Sequence, residues 1–239
     1  MQSAACEWTT APAAERIVDV LENRGVNNAG ESSPLHFTER LTCAVDYARH
    51  LHVERRKGTG IHYLAHLFGV ASLVMGEAGL TGFPVTEDMV IASLLHDAVE
   101  DHGGAARLED IRRNFGPEVA RMVEGLSDTL AENHSCKEPW EQRKKAYIDR
   151  LRGEPADTRL ISAADKLYNA RSILEDYRLI GPEIWKRFQR TRDLQLWYYE
   201  ALLDVFKSTG KMRIVDELER VVAELKQISA WEAEQGSGA

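Results

Sequence analysis

The sequence predicts an all-α protein, a helical bundle of about nine or ten helices. Three observations predict it. Apolar residues recur at three- and four-residue steps in one segment after another, which places them on one helix face. No segment alternates apolar and polar residues with a period of two, and no Asn-Gly hairpin signal occurs. Proline opens and glycine closes several of the periodic segments. Proline lacks an N–H that the first helical turn leaves unused, and glycine reaches the left-handed conformation that ends a helix.

Taken in order, residues 14–22 carry Ile17, Val18, Val20 and Leu21 at helical spacing. The breaker run NNAGESSP at 27–34 ends that segment. Residues 37–55 place Leu41, Ala44, Val45, Ala48 and Leu51 on one face, with Cys43 read as core. The loop RRKGTGI at 55–61 follows, and then residues 63–77 repeat Leu64, Leu67, Phe68, Ala71 and Val74. Residues 89–101 are densely apolar and end in HDAVED. After GGAA at 103–106 comes a short helix, 108–115, stopped by Gly116. Pro117 opens a helix to Leu126, and Pro139 opens one ending near Arg152. A long helix at 158–179 stops at Gly181-Pro182, and Pro182 starts another through Phe206. Residues 213–231 form the last helix, and GSGA is expected to be a disordered tail. This divides the chain into an N-terminal extension (1–35), a main helical domain (36–207) and a C-terminal helix with its tail (208–239).

Composition narrows the function classes. The 239 residues are 44% hydrophobic and 28% charged, which fits a folded globular chain and excludes a collagen or a low-complexity scaffold. No apolar run approaches the roughly eighteen residues of a membrane span, and the N-terminus lacks the basic and apolar regions of a secretory signal. Cys6, Cys43 and Cys136 are odd in number and widely spaced, so they read as reduced thiols of a cytoplasmic protein. A net charge of −8 disfavours broad nucleic-acid binding, though a local basic patch can still hold phosphates.

Four features bear on chemistry. His96-Asp97 ends a strongly apolar segment, where two buried polar groups cost several kcal/mol unless something satisfies them. A divalent metal would; so would solvent at a helix end. Glu100 and Asp101 follow at three and four residues past Asp97, so a continuous helix crowds three carboxylates together near its C-terminus, against the helix dipole. Asp165 interrupts an apolar run with Asn169 one turn later, and an internal salt bridge is the alternative to a metal there. His66 sits among apolar residues, where a hydrogen bond to a carbonyl is the commoner role. Before it, Arg55, Arg56 and Lys57 lead a glycine-containing loop able to hold phosphate oxygens.

In this order, H…HD…D, these residues resemble the HD-domain superfamily of metal-dependent phosphohydrolases. More narrowly they resemble the hydrolase domain of the RelA/SpoT family and the stand-alone small alarmone hydrolases. RKGTGIHYLAH is similar to that family's RKxxGxPYxxHP, LLHDAVED to LLHDxxED, IRRNFGPEVARMVEGLSD to its FGxeVaxlV segment and AADKLYNAR to LADKLxNxR. The likeness covers about residues 37–180. It implies an HD-domain helical bundle with extra C-terminal helices. It implies His66, His96, Asp97 and Asp165 as ligands of Mn²⁺ or another divalent metal, and Glu100 and Asp101 as the catalytic pair that orients and deprotonates water. Arg56 resembles the arginine packed on the nucleotide base, with Arg55 as the alternative. Lys57 resembles a phosphate-facing lysine, and Tyr168 and Asn169 residues lining the nucleoside pocket. Arg171 belongs to the pocket rim or to the framework, and Lys144 or Lys145 adds charge for the phosphates.

The implied substrate is a nucleotide polyphosphate of the ppGpp type, cleaved at its 3′-pyrophosphate without any synthetase activity. Alternatives are an HD hydrolase of adenosine alarmones or other nucleotides, and a non-catalytic alarmone-binding or antitoxin-type protein. His62, Leu67, His102 and Ser162 depart from the family pattern, which carries Pro, Pro, Thr and Lys there. The aromatic load of Trp185, Phe188, Trp197, Tyr198, Tyr199 and Phe206 serves core packing or a homodimer face.

Overall fold

Thr38 starts the first described helix. Its hydroxyl accepts the Arg40 N–H at 3.2 Å, and Glu87 accepts its backbone N–H at 2.6 Å. The computed structural model describes residues 35–130, 138–188 and 190–236. The helix expected at 14–22, Cys6, Cys136 and residues 237–239 lie outside these. Among the described residues there are ten α-helices: α1 (Glu39–Leu51), α2 (Leu64–Gly76), α3 (Glu87–Leu95), α4 (Ala98–Asp101), α5 (Gly104–Phe115), α6 (Pro117–Leu126), α7 (Trp140–Leu151), α8 (Ala156–Ile180), α9 (Arg192–Lys207) and α10 (Arg213–Gly236). A 3₁₀ segment, Gly181–Arg187, lies between α8 and α9. The extended pairing among these residues is a single bridge between Arg55 and His62. The all-α expectation holds.

Two helices form the axis of the bundle. Every residue of α3 from Met89 to Leu95 is buried, because α1, α2, α6 and α8 pack around it. Helix α8 is likewise enclosed, with Leu160, Ile161, Ala163, Ala164 and Leu167 all buried between α2, α3, α6, α9 and α10. A helix apolar on most of its circumference has to lie inside a bundle. Helix α3 ends its apolar run at His96-Asp97, α8 carries Asp165 in the middle of its buried face, and these polar residues meet. The last helix is tied to the core by Leu218 and Leu225, both fully buried, and by a buried carboxylate. Glu77, at the end of α2, accepts from the Arg213 backbone N–H and from Nε, each at 3.2 Å. No described helix is long and apolar enough to cross a membrane.

Three expectations need correction. The apolar segment 89–101 is not one helix: α3 stops at Leu95, His96 and Asp97 form a turn, and α4 restarts at Ala98. Glu100 and Asp101 therefore lie in the first turn of a separate short helix instead of at the C-terminus of a long one. The segment opened by Pro182 is also split. Gly181, at φ +60°, ends α8, the 3₁₀ turns follow, and Phe188 is extended. Thr191 then caps α9 by accepting the Leu194 N–H at 3.4 Å. Cys43 is exposed, since α1 turns the flank carrying Ala44 and Ala48 inward. The aromatic load of the split segment goes into the core: Tyr198, Tyr199 and Phe206 are buried, and Trp185, Phe188 and Trp197 pack against them or their neighbours.

Candidate metal and nucleotide site

The α3–α4 turn, α2 and α8 bring four side chains to one point. His66 Nε2 and His96 Nε2 lie 3.2 Å apart. Asp97 Oδ2 is 3.4 Å from His66 Nε2 and 3.0 Å from His96 Nε2. Asp165 Oδ1 is 3.4 Å from the first and 3.7 Å from the second. The break in the helix has a purpose here: it lets His96 and Asp97, adjacent in sequence, aim at the same point.

The donor set fits a divalent metal. His96 Nδ1 sits 2.7 Å from the Ser93 carbonyl oxygen, which can only accept. Nδ1 thus carries a proton, so the neutral form of His96 would present the lone pair of Nε2 to the other three groups. Burial lowers the pKa of His66, favouring its neutral form. Burial opposes the ionised form of Asp165, but Lys166, His96 and His66 outweigh it and keep the carboxylate charged. Burial likewise opposes a charged His96, and Asp97 and Asp165 overcome it, raising that pKa well above normal. Two carboxylates facing two imidazoles call for a cation: a proton on His96 Nε2 meets that need, and a divalent ion would displace it. Three of the four, His66, His96 and Asp165, are buried.

Neighbours hold the carboxylates in place. Tyr63 donates its hydroxyl to Asp97 Oδ2 at 2.5 Å. Burial, and then the nearby Asp97 and Asp101, push the Tyr63 pKa far up, so the phenol keeps its proton. Asn169 donates to Asp165 Oδ1 at 2.6 Å, and Lys166 pairs with Oδ2.

A cavity of about 400 Å³ opens beside this point, and Lys166 and Asn169 belong to both. Its wall carries five cations, Arg56, Lys57, Lys144, Lys166 and Arg187, against the carboxylates Glu175 and Asp176. Arg56 lies 5.2 Å from the centre of the Tyr168 ring and donates to Asn169 Oδ1 at 2.7 Å. The Tyr168 ring in turn meets His66 edge-on at 5.1 Å. Arg55 instead donates to the Gly60 carbonyl at 2.7 Å and shapes its own loop, so the pocket arginine is Arg56. Lys57 is exposed at the cavity mouth.

Glu100 and Asp101 do not stand where a continuous helix would put them. Glu100 Oε1 lies 3.6 Å from Arg143, which also bonds the buried Asp128 at 2.5 Å. Lys144 donates to Asp128 at 2.7 Å. Burial works against the charge on Asp128, but Lys144 and Arg143 outweigh it and lower its pKa. Asp101 is exposed on the same short helix. Lys145 lies outside the cavity, in a separate hollow with Pro139 and Trp140. Arg171 is framework: it pairs with Glu217 of α10 at 3.3 Å. Sequence reasoning missed Tyr63, Asp128, Arg143, Lys166 and Arg187. Lys166 was within reach, standing inside the ADKLYNAR motif; the others become visible only through tertiary contacts.

An all-α bundle that gathers two histidines and two aspartates beside a cationic cavity defines a helical protein with a candidate His/Asp metal site. The description of the matching family model is HD domain, over residues 44–192, and the chain belongs to the HD-domain family. It is 33% identical to the mouse guanosine-3′,5′-bis(diphosphate) 3′-pyrophosphohydrolase MESH1, over 72% of this chain and 95% of that protein. The human protein of the same name is 31% identical over the same shares of both chains. Among solved structures, a metazoan orthologue of SpoT, described as hydrolysing ppGpp and acting in starvation responses, superposes with a TM-score of 0.63. It is 26% identical, and the match covers 79% of this chain and 97% of that one.

Proposed function

We propose that the protein is a metal-dependent hydrolase that removes the 3′-pyrophosphate from guanosine tetra- or pentaphosphate, releasing pyrophosphate and GDP or GTP. The single observation that carries this reading is the junction of the His66–His96–Asp97–Asp165 cluster with the cationic cavity through Lys166 and Asn169. The relatives' activity on guanosine-3′,5′-bis(diphosphate) points to the same substrate.

In this reading His66, His96, Asp97 and Asp165 hold a divalent ion, assigned as Mn²⁺, a metal that imidazole and carboxylate suit. When bound, the ion acidifies water and neutralises charge on a phosphoryl oxygen. Tyr63 and Asn169 keep the two carboxylates oriented, each through one donated hydrogen bond. Arg56 and the Tyr168 ring hold the base by stacking, while Lys57, Lys144, Lys166 and Arg187 face the phosphates. Glu100 and Asp101 orient the attacking water and take its proton. The water oxygen bonds to the phosphorus attached to the ribose 3′-oxygen, that P–O bond breaks, and the 3′-oxygen leaves with a proton. Arg143 fixes Glu100 against Asp128 and so sets where the proton acceptor stands.

The test is product analysis by phosphorus NMR of guanosine 3′,5′-bis(diphosphate) incubated with the full chain and Mn²⁺. The 3′-diphosphate resonances should disappear while the 5′-diphosphate persists and free pyrophosphate grows. Stacking recognises any purine, so the adenosine counterpart is run in parallel. Release from the adenosine compound alone would move the substrate to that class, and loss of the 5′-phosphates would reject the proposed reaction.

A further inference from the structure

A second group of metal-ligating side chains lies apart from the four just described. His52 caps the end of α1, Glu54 follows it in the loop, and His102 caps the end of α4. Glu54 Oε1 is 2.8 Å from His52 Nδ1, and His102 Nε2 is 3.2 Å from the same nitrogen and 3.7 Å from Glu54 Oε1. We infer that His52, Glu54 and His102 form a second divalent-metal site, taking a borderline ion of the Zn²⁺ class, with the remaining position open to water.

Three features carry the inference. The spacing is that of ligands around one ion: metal–ligand bonds of about 2.0–2.2 Å in a tetrahedron place ligand atoms about 3.3–3.6 Å apart. The three edges here, 2.8, 3.2 and 3.7 Å, span that value, somewhat more widely than the edges of the first cluster, which run from 3.0 to 3.7 Å. The donor set, two imidazoles and one carboxylate, is a complete three-protein ligand set that leaves a fourth place for water. The lone pairs also converge with too little to satisfy them. A proton on His52 Nδ1 serves Glu54 and leaves His102 Nε2 turned on the same hydrogen, whereas one cation takes all three.

The burial pattern suits a held ion. The His52 side chain is fully buried and stacks on Tyr63 at 4.9 Å, nearly parallel, so its ring cannot turn away. Burial also favours the neutral, ligating form of this imidazole. Glu54 and His102 are partly exposed, which gives an ion a path from solvent. Arg107, the nearest cation of α5, is turned to the His102 carbonyl, Tyr47 and Asp110 and faces none of the three donor atoms. The RelA/SpoT pattern has Thr where His102 stands, so the third ligand belongs to this chain and not to the general pattern. Because Tyr63 lies between His52 and Asp97, an ion here would brace the tyrosine that orients Asp97.

The test is a Zn²⁺ titration of chelator-stripped full-length protein against a competing chromophoric chelator, with Co²⁺ as an absorbing substitute. The variants are His102→Thr, Glu54→Gln with His102→Thr, and separately Asp165→Ala. The wild type should bind one equivalent more than either His102 variant, with affinity for that equivalent falling about 100-fold or more, since even outer-shell losses cost 10–100-fold. Asp165→Ala should keep this equivalent and its Co²⁺ absorption while losing the other, so the two sites are read separately. Equal stoichiometry in the wild type and both His102 variants, each folded by its thermal transition, overturns the second site.

Discussion

Gly69→Ala tests whether the Tyr168 ring is placed by helix α2. In an open helix the change is favourable: alanine exceeds glycine by about 1 kcal/mol in helix propensity. Here it meets an obstacle. A β-carbon on residue 69 would lie 1.9 Å from Tyr168 Cε2 and 2.3 Å from Cδ2, well inside van der Waals contact with a ring that is itself packed against His66 and Arg56. Overpacking costs about 1–3 kcal/mol, so the net change should be a loss of about 0–2 kcal/mol. For a chain of this size that lowers Tm by up to roughly 8 °C. The functional effect is larger than the stability effect. Moving the ring breaks the Arg56–Tyr168 stack, and an arginine–aromatic contact is worth about 0.5–2 kcal/mol, which predicts a rise in KM of roughly 2- to 30-fold. Steady-state kinetics and thermal denaturation on the same preparation read both effects. Tyr168→Phe keeps the ring and should leave KM near wild type. A Gly69→Ala protein more stable than wild type by the full propensity gain, with unchanged KM, would refute this account of the pocket.

Other substitutions separate the proposed roles. Asp165→Ala should abolish metal retention at the first site and turnover with it; retained stoichiometry by elemental analysis would remove Asp165 from the ligand set. Glu100→Gln should keep the metal yet lose about 10²–10⁴ in kcat, the usual worth of a positioned proton acceptor, and near-wild-type turnover would hand the water to another group. Asp128 gives a pH prediction. Its folded pKa lies below the ordinary 3.8, so it stabilises the fold above that value and loses this contribution as pH falls through the lower, folded one. The stability gap between wild type and Asp128→Asn, from urea midpoints, should therefore be constant near neutrality and shrink below about pH 4. A gap independent of pH would mean that the Arg143 and Lys144 contacts do not favour the ionised form.

Much of this was readable from the residues, and the failures have physical causes. His66, His96-Asp97 and Asp165 stood out because polar groups interrupt apolar helices, and the structure brings those four together. Asn169 was placed correctly by one helical turn from Asp165. The helix break at His96 left no trace, because His96 and Asp97 keep helical dihedrals and no glycine or proline marks the turn. Pairings across long separations were equally invisible. Arg56 meets Asn169 across 113 positions, and Arg171 chose Glu217 over the pocket through the packing of α10 on α8. Cys43 failed for a local reason: it borders the buried face, and periodicity fixes the face more firmly than its edges.

The most direct measurement is pyrophosphate release from guanosine 3′,5′-bis(diphosphate) by chelator-stripped protein before and after Mn²⁺ is restored, with Asp165→Ala alongside. The stripped wild type should release none, Mn²⁺ should restore release, and the variant should not recover. Release that persists without metal, or that Mn²⁺ restores equally to Asp165→Ala, would contradict the proposed function.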